Sequence, residues 1–355
     1  MSGARQHFIP RFLKKGFASK TIKKEVYTWV FTKEKEPYEA NTRNIGLEKF
    51  FYGNPEDSQA DSLITGKETE FGLFIDELRN NIRDIEIESR IPSELVTHLI
   101  IRTQHIRESL TDVGKTLVDL AQNNITSSQD FKKLLVNIIQ NNPELIEESL
   151  RKEVLKKIPP STPPDIIEKF IELAKMFIPQ IIEQQHEEGH MFFSNLLAKM
   201  NDEMQSLVKG AQVRVLSESV VPEKHLEKFE HFRWKLIVVD HARFILGDIG
   251  PIGFYKTEGT FQPFLFSKGE LANALLPISD KHIIVGSSQS PRLEHSCNEI
   301  NEAIASLSKF YFISRTKNER NMQLSKLIGS RSLNISETDL SSAKTQIRKD
   351  FYGEA

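Results

Sequence analysis

With only one cysteine, Cys297, in 355 residues, the chain can form no internal disulfide, and a reducing compartment is the expectation. Long apolar runs are missing as well. Stretches such as Leu236-Ile237-Val238-Val239 fall far short of the roughly 20 residues a membrane helix needs. The basic N-terminal stretch has no apolar segment behind it of the kind that makes a signal peptide. Cytoplasmic residence and no membrane partner are therefore expected. Excess charge of either sign is absent too. The formal net charge is -2, which excludes a global basic surface for nucleic acid and an acidic, self-repelling chain. The sequence has no glycine-rich phosphate loop, no serine nucleophile elbow, no Cys-x-x-Cys pair and no internal repeat.

What is present is the composition of a folded protein, 39% hydrophobic and 27% charged, long enough to bury a large core. Glu25 to Thr32 (EVYTWVFT) is β-branched and aromatic and reads as a strand. The polar stretch Ser58 to Gly66 reads as a loop. From Lys67 the period becomes helical, with Phe71, Phe74, Ile75 and Leu78 three and four residues apart. A second helix from Pro92-Ser93 carries Leu95, Leu99, Arg102 and Ile106 down one side. Ser127-Ser128 and Asn142-Pro143 are helix starts. Ile158 to Pro164 (IPPSTPP) is a break, and Asp165 to about Leu207 is helical, with Pro179 expected to kink it.

After Trp234 the texture turns to strands. Lys235–Asp240 and Arg243–Leu246 form one expected pair, and Ala274–Ile278 and His282–Val285 form another. Arg292 to Lys309 reads as a helix, and the tail after Asn334 is polar. The expected fold class is α+β: strand-forming segments at the two ends of the chain join in one β-containing core that holds a large helical insertion. The corresponding boundaries are a β-containing segment 1–66, a helical region 67–210, a closing α+β segment 211–330 and a polar tail 331–355.

The N-terminal string Gln6-His7-Phe8-Ile9-Pro10-Arg11-Phe12-Leu13 places a titratable imidazole beside a rigid turn, among aromatic and basic residues. Histidine moves protons near neutral pH, and neighbouring cations hold anions. The competing reading is a buried chain end anchored by Phe8, Phe12 and Phe17. This string resembles the opening signature of the bacterial family catalogued as domain of unknown function 4238. Further strings resemble that family in order: Leu99 to Arg107 (LIIRTQHIR), Phe232 to Ile252, Leu275 to Val285 (LLPISDKHIIV), and Cys297 to Ser314 with Asn301. The family's usual hydroxyl-Ser-Asp-Asn-Pro turn is replaced here by Leu246-Gly247-Asp248-Ile249-Gly250-Pro251, and Asp280 stands where a second proline is common. Members of the family are met among anti-phage defence candidates, which implies a toxic or nucleic-acid-directed activity.

The expected function is that of a hydrolytic effector on a phosphate-bearing substrate, nuclease-like or acting on a nucleotide. His7 is the expected acid/base, Arg102 and Arg107 the anion holders, and Asp248 the proton partner or metal ligand. His7 and Asp248 are expected within roughly 10 Å of each other at the mouth of a pocket reached by Arg102 or Arg107. Basic residues near both ends of the core, at Arg5–Lys24 and Lys309–Arg331, are the expected contact for nucleic acid or nucleotide, provided the ends meet. The alternative is a non-catalytic binding or sensor protein in which the same residues lock the chain ends together.

A weaker alternative is a zinc hydrolase. His186-Glu187-Glu188-Gly189-His190 satisfies H-E-x-x-H, which puts two imidazoles on one helix face. Glutamines precede the first histidine, and no third ligand follows at a convincing spacing, so an inward helix face without metal is the expectation. The sequence sets neither a cofactor nor an oligomeric state.

Overall fold

The computed structural model describes residues 5–52, 59–241, 243–264, 269–331 and 345. Within these, the N-terminal part runs β1 (Arg5–His7), α1 (Arg11–Lys15), β2 (Lys20–Ile22), β3 (Glu25–Phe31), β4 (Tyr38–Asn41) and β5 (Leu47–Lys49). Then come α2 (Gln59–Arg79), β6 (Ile85–Ile87), α3 (Ile91–Arg102), α4 (Gln104–Asn124), α5 (Ser128–Asn141), α6 (Pro143–Lys157), α7 (Pro164–Glu218) and α8 (Glu223–Leu226). The C-terminal part is β7 (Arg233–Val238), β8 (Leu246–Gly247), β9 (Ile252–Tyr255), β10 (Thr260–Gln262), β11 (Leu271–Pro277), β12 (His282–Ser287), α9 (Cys297–Leu307), β13 (Phe312–Ser314) and α10 (Glu319–Ser325).

The two chain ends do join. β13 pairs antiparallel with β3 in the register Ile313 to Val30, and Phe31 stacks on Phe312 at 4.9 Å. That sheet runs β2-β3-β13-β8, with β4 also on β3, and a second antiparallel sheet runs β10-β9-β11-β12-β7-β6. The fold is α+β with a large helical segment. Two compact units divide it, one from Met1–Thr111 with Gln205–Asn334 and one from Asp112–Met204 with Ile335–Ala355. The first holds these two sheets, the separate β1–β5 pair and α9. Its core includes Leu13, Phe17, Phe31, Phe71, Leu236, Leu276, Ile284 and Ile304, all fully buried. In the second, Ile125, Phe131 and Leu134 form a smaller cluster under Phe193.

Several local differences from the sequence reading have physical causes. Residues 59–66 are helical rather than loop, because Ala60 and Ile64 bury themselves at the four-residue spacing that Phe71 and Ile75 continue. The helix expected through Arg102 breaks at Thr103, which is extended (ψ 151°). There the Gln212 side chain donates to the carbonyl of Ile101 at 2.9 Å, so that oxygen needs no helical partner. Arg243–Ile245 is not a strand. The Phe244 N–H goes to the Asp280 carbonyl, and the Ile245 N–H goes to the Asn301 side chain. α9 begins only at Cys297, where Ser296 and Glu299 form a reciprocal capping box. α7 runs past Leu207 to Glu218, with Pro179 inside it. The reading of the tail after Asn334 lies, apart from Thr345, outside the described residues.

Candidate functional site

β1 and β5 pair so that His7 faces Leu47, and the Phe8 N–H donates to the Gly46 carbonyl. Pro10 then opens α1, which returns Lys14 to the strand it left. The Lys14 Nζ lies 3.0 Å from His7 Nδ1 and donates to the Ile45 carbonyl. Lys14 is fully buried. Burial pushes its amine down to about 7; the Glu68 carboxylate opposes this, while Arg102 and Arg11 reinforce it. Burial, then the Lys14 charge, drives the His7 imidazole down to about 3, against the carbonyl of Ile45. At neutral pH His7 is therefore neutral, and the mobile proton of the pair belongs to Lys14.

Arg102 sits behind this pair. Its Nε donates to the Tyr52 hydroxyl at 2.9 Å, and one terminal nitrogen donates to Glu68 Oε1 at 2.5 Å and to His98 Nε2 at 2.6 Å. The other terminal nitrogen donates to the carbonyl of His7. The Tyr52 hydroxyl donates to that same carbonyl, and the Tyr52 N–H donates to Gln6. His98 Nδ1 meets the Val220 carbonyl, which leaves its other nitrogen as the acceptor for Arg102. Four of the five guanidinium N–H groups are engaged, and the side chain is 1% exposed.

Arg107 is used in the same way. It donates to Gln212 and to the Phe51 carbonyl, both at 2.8 Å, and lies 3.5 Å over the Phe51 ring.

Asp248 is 0% exposed, and its two oxygens accept the backbone N–H groups of Lys309 (3.0 Å) and Phe310 (2.7 Å). Its own N–H donates to the Tyr311 carbonyl. Burial raises its carboxyl to about 6, against the pull of those N–H groups. The Tyr311 hydroxyl lies against Gly46. A Cβ on Gly46 would lie 2.6 Å from the Tyr311 hydroxyl, and Gly46 has φ +61°.

Of the four residues singled out in the sequence, His7 and Arg102 meet directly. Arg107 holds the neighbouring residue Phe51, and Asp248 closes the α9–β13 connection. Only His7 is part-exposed; the Arg102, Arg107 and Asp248 side chains are buried. A cleft of about 540 Å³ opens elsewhere, lined by Arg90, Glu223, Phe229, Phe232 and Trp234. Sequence reasoning passed over Lys14, Glu68, Tyr52 and His98. By sequence Lys14 is one of the basic residues of Arg5–Lys24 expected to meet an anion.

The H-E-x-x-H string lies on α7. His186 Nδ1 meets the Glu183 carbonyl, and its Nε2 meets the Gln129 amide at 3.2 Å. His190 Nε2 faces the Ile125 carbonyl. Among the described residues no group of three His, Cys, Asp or Glu side chains is placed to hold a metal ion.

An α+β protein whose N-terminal strand carries one member of a histidine–lysine pair and is held by a buried arginine is the class that fold and site define. The chain belongs to the family described as Protein of unknown function (DUF4238), whose model matches residues 5–324. No curated protein and no solved structure matches it. None of the described helices is long and apolar enough to cross a membrane.

Proposed function

We propose that the protein is a cytoplasmic hydrolase acting on a phosphate-bearing substrate, a nucleic acid or a nucleotide, in anti-phage defence, with the His7–Lys14 pair as its proton-handling group. The observation that carries this reading is the direct contact between the part-exposed His7 imidazole and the buried Lys14 amine. A buried amine bonded to an imidazole and a carbonyl, with the nearby carboxylate of Glu68 taken by Arg102, is costly to keep for stability alone. It supplies a proton carrier poised near neutral pH. Arg102 and Arg107 act as positioning residues in this scheme, because their donors are spent on the protein itself. The anion is met instead by basic side chains flanking the joined ends, such as Lys15 and Lys317, which are exposed.

The test is hydrolysis of single- and double-stranded nucleic acid, of nucleotides and of an activated phosphodiester by the purified chain, alongside toxicity on induction. His7→Ala and Lys14→Met, checked for soluble expression, should lose on the order of 100-fold or more of the rate. Equal activity in all three proteins removes the His7–Lys14 pair from the chemistry, and no activity in any counts against an enzyme.

A non-catalytic binding or sensor role is favoured by a separate observation. Arg102, Arg107 and Asp248 spend their bonds on backbone groups of residues 7, 51, 309 and 310. Ligand-induced stabilisation without turnover would mark that role.

A further inference from the structure

In the second unit, α6 lies along one face of α7. Arg151 pairs with Glu168 at 2.7 Å and Lys175 with Glu147 at 2.8 Å, while Ile171 is fully buried. About half a turn away, α7 carries Ile166, Phe170, Leu173, Phe177 and Ile181, each between 42% and 50% exposed, and beside them Met176 at 77%. The spacing of four, three, four and four residues holds these side chains in one stripe along the helix. Leaving Phe, Leu and Met side chains in water in a contiguous row is the mark of a contact surface rather than of scattered surface apolarity.

We propose that this stripe is the interface of a homodimer in which α7 packs antiparallel on the α7 of a second copy. Two features fix the occupant. The first is area. At about 150–250 Å² for a fully covered large side chain, the six residues leave roughly 600–700 Å² open per copy. Two copies together then bury about 1,200–1,400 Å², which reaches the range of stable dimers. The second is charge. Between Pro164 and His190 acids outnumber lysines six to two, which an anionic lipid surface repels. An antiparallel pair with its two-fold axis at Phe177 sets Leu173 against Ile181 and brings Lys169 within about one turn of Glu188 of the other copy. The acidic excess disfavours an anionic membrane, while this register sets the opposite charges of Lys169 and Glu188 across the seam.

A two-fold axis makes a distinctive demand: Phe177 must face Phe177. In a Cys297→Ser background, Phe177→Cys should cross-link to a dimer with a short bis-maleimide, while Lys152→Cys on exposed α6 should not. Light scattering of the full chain should give a dimer. Phe170→Glu with Phe177→Glu should give a monomer of unchanged far-UV circular dichroism. A monomeric wild type at about 100 μM overturns the proposal, as does a dimer indifferent to the double substitution or equal cross-linking at both cysteines. Flotation with anionic vesicles that the double variant loses would assign the stripe to a membrane and overturn it equally.

Discussion

Lys14 illustrates how one residue's surroundings set a pH dependence. Its amine falls to about 7 in the folded chain from an ordinary 10.5, so between those values the unfolded chain binds more protons. Stability from this residue therefore rises with pH from about 7 to 10.5. His7 acts in the same direction lower down: its folded value of about 3 lies below 6.5, so stability falls as the pH drops through that interval. The groups facing Lys14 are His7 and the Ile45 carbonyl, with Glu68, Arg102 and Arg11 acting at longer range. Lys14→Met should flatten the rise in melting temperature between pH 7 and 9.5. An unchanged slope in the variant would place the titrating amine elsewhere.

Arg102 shows the other consequence of burial. Its removal strands the Glu68 carboxylate, the Tyr52 hydroxyl and the His98 ring, and costs about 3–5 kcal/mol as the loss of one partner from a buried pair. Chemical denaturation of Arg102→Met measures this. Arg102→Lys should recover little, because a point charge cannot reach four acceptors in the directions of a guanidinium.

At the scale of elements, the junction of α3 and α4 depends on a residue more than a hundred positions away. Gln212 donates to the Ile101 carbonyl at 2.9 Å and accepts from Arg107 at 2.8 Å. Gln212→Ala leaves a buried guanidinium and a helix-end carbonyl short of partners, at a cost of about 1–3 kcal/mol, read as a shift in the denaturation midpoint without a change in its slope. Such long-range side-chain contacts mark the limit of what the sequence makes legible. Period-based readings found β3, the β11–β12 pair and the helical middle because their apolar spacing is local. They missed the break at Thr103 and the loss of a strand at Arg243–Ile245, where Gln212 and Asn301 take over backbone groups. The site divided the same way. His7 and Arg102 stood out by residue type, while Lys14 returns to His7 across the Pro10 turn from a helix to a strand, so that no single period relates the two. Nothing in a lysine's identity announces that it is buried.

The whole molecule sets two units of unequal support on one chain, and this governs where it opens first. The first unit closes on itself through β3–β13 and a core of fully buried side chains drawn from both chain ends. In the second, Ile125, Phe131 and Leu134 form a modest cluster, and none of the α6 side chains is buried. Local opening free energy follows buried apolar contact, so α5, α6 and residues 164–204 of α7 should exchange their amides well before β11, β12 and α9. The order expected in native-state hydrogen exchange is α6 first, then α5 and α7, with the strands of the six-stranded sheet last. Phe131→Ala should speed exchange across α5 and the facing part of α7 through the cavity it leaves, a cost of about 3–5 kcal/mol when a buried phenylalanine is removed. Because Phe131 contributes to the second unit's cluster alone, β11 and β12 should keep their wild-type protection. A uniform loss of protection through both sheets would mean instead that the two units unfold as one cooperative body.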